Sequence, residues 1–200
     1  GVVVAQGVVV VTYDSKLDTA EKILTKTPES QFESVAWFSH APFGPEVALF
    51  GGDPPVAFNA PPVHEFVANF WKPFVQKTST PIIDFLGCKV LQDPSWLNFL
   101  EVLRAEAEVV VRASDDDTGA LKKGGDWVLE SHDVNVKNIY FTNTIDTWNS
   151  TLQTYEGESI IKYHLLSRPF DRFGPFTYAV SASADPYYVL MDGKVRGPWN

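Results

Sequence analysis

Cys88 and His40 are the two residues whose types and positions suggest chemistry. Cys88 is the only cysteine in 200 residues, and His40 is one of four histidines. Each follows a short apolar run that is typical of a buried strand. A thiolate attacks carbonyl carbons, and an imidazole beside it can take the thiol proton and later return it to a leaving amine. Brought together, the pair would form a nucleophilic dyad that needs no metal.

Both residues also have an ordinary structural interpretation. A lone cysteine cannot close a disulfide within the chain, and free cysteines are among the most buried residue types. Cys88 would then be a buried thiol at a strand end, and His40 a polar loop residue. The residue types alone favour this interpretation, so the choice depends on the elements that position them.

Four apolar runs predict the strands of a sheet. They are residues 8–13, 34–38, 82–86 and 109–113. Continuous runs of β-branched and aromatic residues are typical of strands buried on both faces of a parallel sheet. We expect the first run to be central in that sheet.

Helical patterns separate these strands. Residues 63–75 place apolar side chains at intervals of three and four, and Pro73 is expected to kink this helix near its end. Asp93 before Pro94 predicts an N-cap, and Ser15 with Asp18 resembles a capping box. The alternation predicts an α/β domain with a short, mostly parallel sheet flanked by helices.

Ligands of such sheets bind beyond the carboxyl ends of the strands. Because His40 and Cys88 both lie just past such ends, we expect them at one edge of the sheet. Downstream, residues 115–148 change to short strands and turns, including 127–130 and 139–142, which predicts an antiparallel β extension. Trp127, after a Gly-Gly turn, is expected to be a core anchor.

Composition and charge exclude several functions. A formal net charge of −9 and the lack of a basic run argue against a nucleic-acid partner. No apolar stretch approaches the roughly 20 residues that a membrane helix needs, and the overall composition predicts a soluble globular domain. No cysteine or histidine pair has zinc spacing, and we expect neither metal nor cofactor. A protein or peptide is the expected partner.

Three segments carry a family resemblance: FLGCKV (85–90), ASDDDTG (113–119) and GGDWVLE (124–130). Together they resemble a domain of unknown function that opens many giant bacterial surface adhesins and is similar to the caspase and gingipain clan. The resemblance covers residues 8–130. It implies a caspase-like fold and a peptidase-like hydrolase, with Cys88 as nucleophile and His40 as base. The chain itself is one of the substrates that the resemblance implies. The resemblance further implies oxyanion donors at the amides of Ala41 and Cys88, and favours an extracellular or surface location.

Two positions depart from the family pattern. Ala41 stands where the family has glycine, and Lys89 stands where it usually has asparagine. Alanine can present its amide as glycine would only where the site does not need a left-handed backbone, which a Cβ disfavours. A second hypothesis is therefore a non-catalytic structural or interaction module of the same fold, within a surface or multisubunit assembly.

Asp115, Asp116 and Asp117 follow the fourth predicted strand, where the clan often has substrate-pocket residues. One hypothesis is that they select a basic side chain. The alternative, which the sequence favours, is a turn whose aspartates hydrogen bond to their own backbone.

The C-terminal residues carry a weaker resemblance. Residues 178–182, 188–190 and 192–197 are similar to one blade repeat of a regulator-of-chromosome-condensation type propeller. A single blade cannot bury its own faces. We therefore predict a caspase-like domain over residues 1–148 and a β-rich extension over 149–200, which either packs on that domain or begins a longer array.

Overall fold

The computed structural model describes residues 2–14, 16–41, 46–47 and 49–152, and the backbone of three later strands. The strands are β1 (Val2–Val3), β2 (Val9–Asp14), β3 (Ser34–Phe38), β4 (Glu46–Val47), β5 (Val56–Ala57), β6 (Ile82–Leu86), β7 (Val110–Ala113), β8 (Val128–Leu129), β9 (Val134–Asn135), β10 (His164–Ser167), β11 (Thr177–Ser181) and β12 (Pro186–Asp192). The α-helices are α1 (Ala20–Lys26), α2 (Pro62–Phe66), α3 (Lys72–Thr78), α4 (Pro94–Ala107) and α5 (Lys137–Tyr140).

The main sheet has five strands in the order β2-β12-β3-β6-β7. β3, β6 and β7 are parallel, whereas β12 is antiparallel to both of its neighbours, β2 and β3. The predicted α/β class with a short parallel sheet is confirmed. The central position expected for residues 8–13 is wrong, because β12 lies between β2 and β3 and leaves β2 at the edge of the described sheet.

Antiparallel pairing accounts for the remaining described strands. β1, β11 and β10 form one sheet, and β4 with β5 and β8 with β9 form two-stranded ribbons. The strand expected over residues 139–142 is wrong: residues 137–140 form α5, and Phe141 makes an isolated bridge to Val4. At the end of this helical turn, the Tyr140 hydroxyl donates a hydrogen bond to the buried Asp84 carboxylate of β6.

β10, β11 and β12 come from the predicted C-terminal extension. β11 pairs with β1, and β12 joins the main sheet. Residues 182–185 and 193–197 of the blade-like repeat lie outside the described residues. The division at residue 148 and the blade assignment stay predictions.

Capping side chains begin two of the helices. Asp93 accepts hydrogen bonds from two amides of the first turn of α4, at 2.7 and 3.2 Å, which confirms the predicted cap. α1 begins after Thr19, whose hydroxyl accepts a first-turn amide, so the capping box predicted at Ser15 and Asp18 is wrong. Ser15 itself lies outside the described residues. None of the described helices has the length and apolarity to cross a membrane.

Pro73 acts on its helix through the hydrogen-bond ladder. It lacks an amide hydrogen, so the carbonyl four residues before it loses its α-helical partner. A π-helical segment, Val67–Trp71, stands just before it and joins α2 to α3. The apolar stripe predicted for residues 63–75 stays on one face, with Phe70 and Phe74 fully buried.

Two apolar cores cover the two faces of the main sheet. The larger lies beneath the helices and is rich in rings, with Trp37 and Trp71 in edge contact at 5.3 Å between centroids. The second includes Phe38, Cys88 and Trp127. Trp127 is buried and stacks on Phe38, which confirms it as a core anchor.

Asp18 ties the loop before α1 to two lysines. Its side chain is 1% exposed and pairs with Lys22 and Lys26. Burial by itself would raise the pKa of Asp18, but hydrogen bonds from the lysines and from the Asp14 amide outweigh burial and lower it to about 2. Because the folded pKa of Asp18 lies below the unfolded one, its two ion pairs stabilise the fold fully above about pH 4. This stabilisation is lost as the pH falls toward 2.

We expect Asp18→Asn to lower the free energy of unfolding by about 2 kcal/mol at pH 7 and by much less at pH 2. Urea unfolding followed by circular dichroism at both pH values measures the difference. Asp14→Asn, which changes the exposed carboxylate at the end of β2, is the matched control. An equal loss at both pH values in the Asp18 variant would contradict the ion-pair explanation.

Candidate functional site

The ends of β3 and β6 meet at one edge of the sheet. The two strands are parallel neighbours, and their last residues, Phe38 and Leu86, are paired in register. The loops that follow are in contact: a Cβ added at Gly87 would lie 3.0 Å from the Ala41 Cβ and 3.2 Å from the Ser39 carbonyl oxygen. Glycine at position 87 therefore lets the two strand-end loops pack against each other.

The pleat of these strands also fixes the face. Ala36 and Phe38 on β3, together with Leu86 and Cys88, belong to the second core. Trp37 and Phe85, which alternate with them, belong to the core under the helices. Side chains alternate between faces along a strand. Continued past the strand ends by one register pair, this alternation would set position 40 opposite Cys88 on the second face.

His40 is half-buried and held by a backbone carbonyl. Its Nδ1 atom lies 2.8 Å from the Leu152 carbonyl oxygen. A carbonyl only accepts hydrogen bonds, so this partner assigns the proton to Nδ1 and leaves Nε2 of the neutral ring as a proton acceptor. That tautomer is the one a general base acting through Nε2 requires.

Cys88 is a buried, protonated thiol. Its side chain is 1% exposed, and Sγ donates to the Thr118 carbonyl oxygen at 3.5 Å. Burial, and then the charge of Asp117, raise the pKa of Cys88 to about 12, although hydrogen bonds with the backbone of Thr118 and Leu152 and the charge of Lys89 act in the opposite direction. At pH 7 only about 1 in 100,000 molecules would carry the thiolate in this conformation. The Thr118 carbonyl oxygen also accepts the Leu152 amide, at 2.8 Å, so Leu152 lies close to both the sulfur and the His40 ring.

Residues 150–152, which we call the closing segment, complete this edge. Its outer residues hydrogen bond to the backbone of Thr118 and Ala120, both at 2.8 Å, and its middle residue forms an antiparallel bridge with Gly119. A Cβ at Gly119 would lie 2.5 Å from the Ser150 carbonyl oxygen, and its φ is +138°. Only glycine fits there while the closing segment is in place.

The two departures from the family pattern have different backbone conformations. Ala41 has no positive φ, whereas Lys89 has φ +57°. The Ala41 side chain thus causes no left-handed strain, and the amide is not barred from donating. Lys89 occupies a conformation that asparagine tolerates better, and its amide donates to the Asp116 carbonyl oxygen at 2.6 Å.

The three consecutive aspartates take different positions. Asp115 and Asp116 are exposed and Asp117 is half-buried. Asp116 and Ser114 form a local turn. The Ser114 hydroxyl accepts the Asp116 amide and donates to the Asp116 carboxylate, both at 3.1 Å. Asp117 pairs with Lys89 at 3.2 Å. Both sequence hypotheses for this run, turn formation and substrate selection, are compatible with these contacts.

Carboxylates cluster beside this turn. Oxygens of Asp115, Asp116 and Glu130 lie within 4.8 Å of one another, close enough to hold a cation. Burial, followed by the charge of Glu130, raises the pKa of Asp116. Glu130 already accepts the Asp115 amide at 2.9 Å, so the cluster also has a role in the loop structure.

A buried polar network was missed by the sequence analysis. Arg112 on β7 donates two hydrogen bonds to Asp84 on β6, at 2.5 and 2.6 Å, and the Tyr140 hydroxyl lies 2.6 Å from Asp84 and 2.7 Å from the Ser34 hydroxyl. Asp84 and Arg112 are paired in register. The signal was present in the sequence, because each charge stands in the middle of an otherwise apolar strand.

Comparison with known proteins gives a match to a sequence family. The sequence model of a family described as "Domain of unknown function (DUF4347)" matches residues 2–155, which is most of the chain and all of this site. No curated protein and no solved structure gives a significant match.

Proposed function

This chain belongs to the DUF4347 family of domains of unknown function, and from that premise we propose that it is a caspase-clan-like cysteine hydrolase, with Cys88 as nucleophile and His40 as general base. The observation that supports this most is the register of β3 and β6, since it favours positions 40 and 88 on one face of one edge. The His40 ring donates to the Leu152 carbonyl oxygen. The Leu152 amide donates to the Thr118 carbonyl oxygen, which also accepts the Cys88 thiol, and these contacts are independent support for proximity.

The proposed reaction is the cleavage of a peptide bond. Nε2 of His40 takes the Sγ proton as the Cys88 sulfur bonds to the carbonyl carbon, and the carbonyl electron pair moves to the oxygen. The amides of Ala41 and Cys88 stabilise that oxyanion, at about 3 kcal/mol per donor. The C–N bond then breaks, and His40 gives its proton to the leaving amine. Water hydrolyses the thioester with His40 again as base, which releases the acid and restores the thiol.

The substrate of this proposal is a protein or peptide, the chain itself included. Asp115, Asp116 and Asp117 are the proposed partners of a basic side chain. The exposed Asp115 and Asp116 are the stronger candidates of the three, because Asp117 is already paired with Lys89. Besides the substrate and water, the reaction as written uses side chains and backbone amides of this chain.

A second candidate function is a non-catalytic structural or interaction module in a surface or multisubunit assembly. The observation that favours it is the environment of Cys88, which is buried in an apolar core with a pKa of about 12. A thiol of that kind packs as a small apolar side chain. The two candidates differ in whether His40 changes the reactivity of the sulfur.

We expect His40→Asn to slow alkylation of Cys88 by iodoacetamide about tenfold at pH 7 and to have little effect at pH 10. Asparagine keeps an N–H donor near the position of Nδ1, so it retains the bond to Leu152, but it has no acceptor equivalent to Nε2. At neutral pH the imidazole supplies the base, whereas at pH 10 hydroxide forms the thiolate without it. Mass spectrometry of the intact protein follows the modification over time.

The matched control is His64→Asn. His64 is exposed and bonds to Glu106, away from the strand ends, so its substitution should leave the rate unchanged at both pH values. If the ratio of native to His40→Asn rates is the same at pH 7 and pH 10, His40 is not the base and the module is the better description.

A further inference from the structure

The closing segment binds the rest of the domain as an extended peptide would. It adds an antiparallel bridge and two backbone hydrogen bonds to residues 118–120, which is the way that edge strands capture peptides. Thr118 on that edge also accepts the Cys88 thiol. The carbonyl oxygen of Leu152, the last residue of the segment, accepts the His40 ring N–H, and its amide donates to the same Thr118 carbonyl oxygen as the thiol.

We propose that the closing segment occupies the position of a peptide substrate and has to leave before another peptide can reach Cys88. That the displaced peptide is a substrate rests on the hydrolase function proposed above. That the closing segment covers the Cys88 thiol does not rest on it. This covering by the closing segment explains why Cys88, at the end of a strand, is almost fully buried.

The same contacts define the class of peptide. Its backbone would be extended and would lie close to Gly119, where a side chain of the domain would clash. The side chain in the place of Leu152, which is 3% exposed and packs in the second core, would be apolar. The basic side chain proposed for the aspartate run would then be a different residue of the peptide.

Leu152→Asp tests the closure. A carboxylate at this buried position should release the segment without changing the edge that binds it, and we expect alkylation of Cys88 at pH 8 to become roughly 10- to 100-fold faster, the factor that burial of one leucine provides. The control is Leu121→Asp, at an exposed leucine of the neighbouring turn, which should react at the native rate. Circular dichroism and urea unfolding establish that both variants are folded.

Gly119→Ala is a second variant with its own control. The new Cβ would meet the closing segment, whereas Gly124→Ala, also at a positive φ, meets nothing within 4 Å. We expect faster alkylation of Cys88 in Gly119→Ala and the native rate in Gly124→Ala. Native rates in folded Leu152→Asp and Gly119→Ala would overturn the closure and leave the His40 test unaffected.

A peptide tests whether the vacated edge accepts a substrate. Acetyl-Ser-Thr-Leu-amide at millimolar concentration should slow alkylation of Leu152→Asp at least about twofold, because it would occupy the edge in the segment's place. Acetyl-Ser-Thr-Asp-amide should have no effect. If the leucine peptide gives no protection, the segment covers the thiol without marking a peptide site, and the substrate part of the proposal is wrong.

Discussion

Replacing Asp84 with asparagine is expected to lower the free energy of unfolding by about 3–5 kcal/mol, because it leaves a buried guanidinium without its counter-charge. Asp84 is fully buried and Arg112 is 9% exposed. The two hydrogen bonds from Arg112 and the one from Tyr140 all end on the Asp84 carboxylate. Burial and the Asp84 charge hold the pKa of Tyr140 well above its usual value, so the phenol stays a donor.

Urea unfolding at pH 7 measures this effect, with Asp146→Asn as the control. Asp146 pairs with Lys137 but is 63% exposed, and removing such a surface pair changes stability by at most about 1 kcal/mol. The double variant Asp84→Asn/Arg112→Met removes both charges and should recover much of the loss. A loss in Asp84→Asn no larger than in Asp146→Asn would show that the network contributes little to the fold.

The network also matters for the site. Asp84 and Arg112 are in register on β6 and β7, and Asp84 lies four residues before Cys88. A slip of one residue in β6 would separate the two charges and turn Cys88 toward the opposite face. The ion pair therefore favours the one register that turns Cys88 toward the second core, as the proposed pairing with His40 requires.

The parallel part of the fold was predictable because its signals are local. Residues 34–38 and 82–86 are continuous apolar runs, and both strands appear with those bounds. The face that Cys88 occupies could also have been predicted, since Cys88 follows Leu86 by two residues and both belong to the second core. Opposite charges at the centres of two apolar runs, Asp84 and Arg112, were a further readable signal.

Contacts between distant segments could not be predicted in this way. β12, from residues 186–192, pairs with strands more than 140 residues away, and nothing in the apolar run of β2 indicates an antiparallel neighbour. The closing segment is likewise a short stretch of two polar residues and a leucine, whose position depends on backbone contacts with residues 118–120. Sequence therefore predicts Cys88 at a strand end, and its residue type favours burial, but the segment that covers it is not predictable.

The burial of Cys88 leads to the second large effect, a loss of stability at alkaline pH. The pKa of Cys88 is about 12 in the folded protein against an ordinary value of 9.0. A group whose folded pKa is raised stabilises the fold fully below its unfolded pKa and loses that effect as pH rises toward the folded one. Three pH units correspond to about 4 kcal/mol, lost between about pH 9 and pH 12.

The stability difference between native protein and Cys88→Ala measures this contribution. Alanine leaves a small cavity, whose cost does not depend on pH, while tyrosines and lysines titrate in both proteins and cancel. Between pH 8 and pH 11 the native protein should therefore lose about 3 kcal/mol more than the variant. A constant difference would mean that the folded state gives up the thiol proton as readily as the unfolded one, which a sulfur covered by the closing segment cannot do. A loss of the expected size would mean that the contacts which stabilise the fold also keep the thiol unreactive, so that catalysis at neutral pH would require the closing segment to leave.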